Sequence, residues 1–265
     1  MISKFEHNLP KKPNKTKFYS NVIIFALIII SSAWFAGFNI ITLFQNFFRF
    51  GFRLIGQIFF PPDWGYFDNA IPPLLETIQM AIVGSFIGAI FAFPAAVLAA
   101  NNFIHIKWLN KTVRVLLNIT RTLPALVLAS IFVGLFGSGS FPGVIALSIF
   151  SFGLISKMTY ESIESIDFGQ VEALMSVGGN KWNILRYSIL PQVLPQFISY
   201  TLYAFEVNVR AAAVLGYVGA GGIGQKYKIF LQLRRFDNVG TIIIISFVAV
   251  LIIDTISSSI RRRLV

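Results

Sequence analysis

Cysteine is absent from this chain of 265 residues, and histidine occurs only at His7 and His105. That excludes disulfides, thiolate nucleophiles and Cys-ligated metals, and leaves too few imidazoles for a His-rich metal site. Charge is scarce as well. Asp, Glu, Lys and Arg make up 12% of the residues, about half the roughly 25% usual in a soluble domain. With 55% of residues hydrophobic, the chain has too few charges to cover a water-facing surface of this size. Lipid is the solvent that fits. The few carboxylates are scattered, so no acid–base pair stands out, and neither cofactor nor metal is expected.

What is present is a set of long uncharged runs. They extend over Phe18–Phe48, Thr77–Ile106, Thr122–Ser156, Tyr187–Phe205, Ala211–Gln225 and Asn238–Ile253. About 20 apolar residues cross a bilayer as a helix. The Thr122–Ser156 run is long enough for two passes, and "GSGSFPG" (137–143) interrupts it with a turn suited to a helical hairpin. The expectation is an all-α, polytopic membrane protein with about six spans, near 22–44, 72–100, 119–136, 141–158, 190–213 and 239–259. The first run is too long for the core of a secretory signal and reads as an uncleaved anchor.

Lysine and arginine set the orientation. With the N-terminus inside, fifteen fall on the cytoplasmic side, among them Lys4, Lys11, Lys12, Lys15 and Lys17, and Arg261, Arg262 and Arg263 at the other end. Six fall outside (Arg49, Arg53, Lys226, Lys228, Arg234, Arg235), and Arg210 lies within a span. The net charge of +11 is then largely topology and calls for no nucleic acid. Three regions follow: a basic tail over 1–20, an anchor with an interfacial segment over 21–70, and a core over 71–265. In residues 45–70, Phe-rich sequence with Arg49 and Arg53 four apart suits a helix lying among lipid headgroups until Pro61-Pro62 ends it, the alternative being a continuation of the first span.

The segment 160–191 is too polar to span, yet Ile163, Ile166, Val171, Leu174 and Val177 recur at helical spacing. Gly178-Gly179 should break it into two short amphipathic helices, a cytoplasmic loop with an apolar stripe to bury. "EALMSVGGNKWNILRYSILP" (172–191) resembles the EAA loop of ABC-transporter permeases through Glu172, Ala173, Gly178, Leu190 and Pro191. Leu174 replaces the second Ala, and Ser188 stands where Ile is usual. The resemblance implies a type I importer permease whose loop, Gly179 included, docks on a separate ATP-hydrolysing subunit.

A narrower resemblance runs from about Pro61 onward. "FFPPDW", "LLNITRTLPALVLASIFV", "LPQVLPQFISYTLYAFEVNVRAAAVLGYVGAGGIG" and Asp254 before a basic tail are similar to the phosphonate-transporter permease family. Related permeases for phosphite, and more distantly methionine, share the glycine-rich segment. The implied partners are ATP-binding subunits, an extracytoplasmic solute-binding protein, a second copy of the chain and membrane lipid.

Gly219, Gly221 and Gly224 fit the G-x-G-x-x-G spacing of a dinucleotide fingerprint, but they follow a span rather than a strand. Gln225, not Lys, follows Gly224, so this is no Walker loop either. Five glycines over 216–224, including Gly222, point instead to close backbone packing. Glu206 and Arg210, four apart around Asn208, share a helix face and are expected to pair, because an unpaired Arg at membrane depth is costly. Either they form a structural clamp, or Arg210 faces the path and attracts an oxyanion. With the glycines, these three are the candidates for the translocation path. An intramembrane hydrolase and a simple channel are the competing classes, and neither needs an EAA loop.

Overall fold

The computed structural model describes residues 15–37, 39–104 and 106–264. The first part of the basic tail and His105 lie outside the described residues. The chain forms two compact units, over residues 1–56 and 57–265.

In the first unit, α1 (Lys15–Phe35) is apolar on every face and buries none of its residues, as suits a helix whose solvent is lipid. Asn39 caps α2 (Ile40–Asn46), its side-chain oxygen accepting from the amides of Ile41 and Thr42. A π turn (Phe47–Gly51) leads into α3 (Phe52–Phe59), and the rings of Phe44, Phe47, Phe48 and Phe52 pack along this run. The Arg49 guanidinium lies over the Phe50 ring. The helix stops before Pro61-Pro62, where the chain can no longer donate amide hydrogen bonds.

The second unit is a helical bundle built from α4 (Phe67–Ala99), α5 (Lys107–Thr122), α6 (Ala125–Phe136), α7 (Ser140–Glu164), α8 (Phe168–Ser176), α9 (Lys181–Ile184), α10 (Leu190–Leu215), α11 (Gly222–Gln232) and α12 (Phe236–Leu264). The "FFPPDW" motif anchors its start. Asp63 accepts from Asn238 Nδ2 at 2.8 Å, and its carbonyl accepts from Thr241 Oγ1 at 2.8 Å, which fastens the chain to the first turns of α12.

At the centre, α4 and α7 lie in close contact because small residues face each other. A methyl group added at Gly84 would stand 2.7 Å from Leu147 Cβ, and one at Gly88 would stand 2.6 Å from Ser151 Cβ. In lipid, where apolar side chains gain nothing by leaving the solvent, such close backbone approach is the main source of helix association.

Two expected boundaries shift. The span placed at 119–136 is not one helix: α5 and α6 meet at 85°, with Leu123 forced into an extended conformation by Pro124. The 12 residues of α6 reach only about 18 Å. The span placed at 190–213 does not begin at Leu190-Pro191. A π turn over Leu185–Ile189 moves the hydrogen-bond register, so that α9 continues into α10 despite the prolines.

Among the described residues, four helices (α1, α4 with its preceding turn, α7 and α12) are long and apolar enough to cross a membrane, and the bent α5–α6 pair makes a fifth candidate. Helix α10, although 26 residues long, is too polar to join them. Its Gln192, Gln196, Glu206, Asn208 and Arg210 lower the apolarity that the other spans have.

Candidate functional site

The two ends of α10 carry the two halves of the site. At one end, Asp167 caps α8 by accepting from the Gly169 amide at 2.9 Å. The helix closes in a Schellman turn: Gly179 N–H donates to Leu174 O at 2.9 Å and Gly178 N–H to Met175 O at 3.0 Å. Gly178 sits at φ +78°, where a side chain is strained, and a Cβ on Gly179 would stand 2.7 Å from the Leu174 carbonyl. Asn180 then caps α9, accepting from Asn183 N at 2.9 Å. Both glycines are therefore required by the turn that joins the helices.

The apolar stripe of this segment is largely consumed inside the chain. Ile163, Val171, Ile184, Ile189 and Val193 are buried with Ala96, Ala99 and Leu117 from α4 and α5, and Ile166 and Leu174 pack against them. Val177, expected in the same stripe, is 80% exposed because the helix has already ended there. Phe168, Met175 and Trp182 are exposed too, as are Glu172 and Ala173. What α8 and α9 offer to a partner is thus their outer side. Behind them, Arg114 on α5 holds the frame: it pairs with Glu164, donates to Ala99 O at 2.9 Å and lies over the Tyr160 ring. None of these Arg114 contacts is legible in sequence, beyond an arginine on an amphipathic helix.

At the other end of α10, the glycine segment folds back into the bundle. Gly219, Gly221 and Gly222 all have positive φ. The Ile223 amide donates to Thr77 Oγ1 at 2.8 Å, and Gly139 N–H donates to Gly219 O at 2.9 Å. A methyl group on Gly222 would stand 2.5 Å from Thr77 Oγ1, and one on Gly221 would stand 2.6 Å from Glu76 Oε1. One on Gly224 would run into the Ala213 carbonyl. Helix α11 follows directly, so the glycines serve backbone packing between α4, the α6–α7 turn and α10.

Between the ends lie the three polar candidates of α10, and they part company. Asn208 is fully buried; its Nδ2 donates to Ser85 Oγ at 2.8 Å and Ser151 Oγ at 2.6 Å, tying α10 to α4 and α7. Ser85 stands 18 residues from the start of α4 and 14 from its end, and Ser151 stands 11 and 13 from the ends of α7. This knot marks the mid-depth of the bundle.

The expected Glu206–Arg210 pair does not form. Each residue pairs instead with α12, which runs alongside in the opposite direction and presents Asp254 and Arg261, seven apart, on one face. Arg261 Nη2 lies 2.9 Å from Glu206 Oε1 and donates to Oε2 at 3.1 Å, with Glu206 only 4% exposed. Arg210 Nη1 reaches Asp254 Oδ1 at 3.7 Å, both side chains being 50% exposed. Two charges on one helix face pair with each other only if no neighbour offers better geometry. Toward the α8 end, a cleft of about 670 Å³ opens beside this ladder, lined by Gln196, Ser199, Tyr200, Ser258, Arg261 and Arg262. Among the described residues there is no group of three or more His, Cys, Asp or Glu that could hold a metal ion.

Comparison with known proteins fits this architecture. Residues 92–265 match the family described as "binding-protein-dependent transport system inner membrane component". The phosphite transport system permease protein PtxC of Stutzerimonas stutzeri is 34% identical over 241 residues, covering 91% of this chain and 87% of that protein. The phosphate-import permease protein PhnE of Mycolicibacterium smegmatis is 38% identical over 218 residues, covering 77% of this chain and 41% of that one. Among solved structures, an inward-facing MetNI methionine ABC transporter superposes with a TM-score of 0.70 at 23% identity, over 77% of this chain and 99% of the matched one. The chain thus belongs to the binding-protein-dependent inner-membrane component family and is a multi-pass permease subunit of an ABC importer, not itself an enzyme.

Proposed function

We propose that this permease carries a small phosphorus oxyanion, phosphite or a phosphonate, and that Arg210 is the cation that meets it. The observation that carries the reading is the half-exposed Arg210–Asp254 pair at the mid-depth set by Asn208. An ion pair at that depth is costly against hydrocarbon, so its exposed side belongs to a polar passage rather than to lipid. Glu206 and Asn208, both buried, serve the packing of that passage, and the glycine segment shapes its far end. The names of the related permeases, which include phosphite and phosphate, favour an anion of this size. The likeness to a methionine transporter is one of fold alone.

Further elements complete the reading. The described residues hold one EAA-type turn and one helix set, which supports two copies forming the pathway. The exposed side of α8 and α9, with Phe168, Glu172, Met175 and Trp182, is the docking surface for an ATP-hydrolysing subunit. Motion there reaches the glycine segment through one uninterrupted helical run, Lys181 to Leu215, about 50 Å long. The lysine and arginine distribution supports cytoplasmic N- and C-termini, which places Lys226, Lys228, Arg234 and Arg235 outside, toward a solute-binding protein. The test is uptake by the complex of permease, ATPase and binding protein in proteoliposomes. ATP-dependent uptake of labelled phosphite or methylphosphonate, in preference to methionine, is expected. Uptake of methionine alone would overturn the assignment.

A further inference from the structure

A cation that attracts an anion also retains it, and a path needs binding strong enough for entry yet weak enough for release. The two ion pairs between α10 and α12 differ in the properties that matter here. Glu206 and Arg261 meet at 2.9 Å, with the carboxylate buried and its Oε2 accepting a hydrogen bond from Arg261 Nη2 at 3.1 Å. Arg210 and Asp254 meet at 3.7 Å through a single guanidinium nitrogen, with half of each side chain exposed. Among the described residues Arg210 makes no other ion pair and no hydrogen bond, so most of its donor fork is open.

We propose that Asp254 is an exchangeable counter-ion for Arg210. An entering oxyanion displaces the Asp254 carboxylate from the guanidinium, and the return of Asp254 expels it. The inference rests on the oxyanion reading above and adds the residue that sets release. Without Asp254, Arg210 would have no ion-pair partner at mid-depth, its other charged neighbour Glu206 being held by Arg261, and it would be a trap for any anion that reached it. With Asp254, one carboxylate or one oxyanion occupies the guanidinium at a time, and the local charge is similar before entry and after exit. Glu206 cannot play this part, because it is buried and already bound by Arg261. That tighter pair instead keeps α10 beside α12 while the looser one opens.

The experiment measures equilibrium binding of labelled phosphite to the purified permease–ATPase complex, alongside uptake by the full complex. Asp254→Asn removes the competitor and should tighten phosphite binding about fivefold, the upper end of what a partly exposed pair contributes, while slowing turnover at saturating substrate. Arg210→Gln, alone or with Asp254→Asn, should abolish binding. A pair that merely holds helices together would instead make Asp254→Asn and Arg210→Gln fail alike, and that result, or unchanged binding in Asp254→Asn, overturns the proposal. If Asp254→Asn does not fold, Asp254→Glu serves: its longer reach should strengthen the internal pair and weaken phosphite binding, and tighter binding would be the refuting result. A wild-type complex that carries neither phosphite nor methylphosphonate overturns the oxyanion reading itself. A wild-type complex that carries phosphite, with Asp254→Asn no tighter, overturns only the exchange.

Discussion

The pairing across α10 and α12 predicts an asymmetry that single and double substitutions expose. Arg261→Gln leaves the Glu206 carboxylate without its cation in a site where it is 4% exposed, and stranding one partner of a buried pair costs about 3–5 kcal/mol. Glu206→Gln leaves Arg261, whose side chain is 27% exposed close to the end of α12. Its long stem lets the guanidinium turn toward water, so the loss should be about 1 kcal/mol. At roughly 2–4 °C per kcal/mol for a chain of this size, Arg261→Gln should lower the apparent melting midpoint in detergent by about 10 °C and Glu206→Gln by about 3 °C. The double variant Glu206→Gln with Arg261→Gln should return to within about 3 °C of wild type, because both charges leave together. Glu206→Gln with Arg210→Gln should show no such recovery, since it leaves Arg261 and Asp254 both unpartnered. Intrinsic tryptophan fluorescence during heating reads all four variants. Recovery in the Glu206–Arg210 double variant, with none in the Glu206–Arg261 one, would refute the pairing across helices.

Two further outcomes test the ends of the molecule. With no native cysteine, cysteines placed at the exposed positions Ser138 and Gln232 should react with an impermeant thiol reagent added outside intact cells, and one at Asn180 should not; labelling at 180 would reverse the proposed orientation. Gly178→Val forces a β-branched residue to φ +78°, a strain of about 1–3 kcal/mol confined to the α8–α9 turn. The variant should insert normally yet lose most ATP-driven uptake, and unchanged uptake together with unchanged ATPase binding would remove the coupling role from this turn.

How much of this was legible in the sequence depended on whether a residue acts within its own segment. The Gly178-Gly179 turn follows from local chemistry, since two glycines after an amphipathic run leave a helix little choice but to end. The hairpin at 137–143 and the stop at Pro61-Pro62 are local in the same sense. The bend at Leu123–Pro124 escapes a sequence reading because a proline can open a helix as readily as break one, and the packing of α5 along α7, from Glu164 to Gly153, lies outside the segment itself. Partners across the bundle were out of reach. Glu206 and Arg210 satisfy every local rule for an intrahelical pair, and nothing in their own segment reveals that Asp254 and Arg261 lie opposite. Ser85 and Ser151 likewise read as unremarkable small residues until Asn208 is found between them.

The same separation of local from long-range information explains why α10 is the least apolar of the long helices. A helix facing lipid on most sides must be apolar throughout, as α1 is. A helix that holds its neighbours by hydrogen bonds and ion pairs can carry Gln196, Glu206, Asn208 and Arg210, provided each polar group has a partner or reaches water. In α10 each position has a different partner: the Asn208 amide nitrogen has the serines of α4 and α7, Glu206 has Arg261, and Arg210 has a loose and half-exposed Asp254, although Asn208 Oδ1 and Glu206 Oε1 are buried without a hydrogen bond. A buried partner fixes a polar group in place, and a half-exposed one leaves it free to change partners. Along α10 the internal pairing is loosest at Arg210, where the ion pair is 3.7 Å long and half-exposed, as the proposed exchange of partners requires.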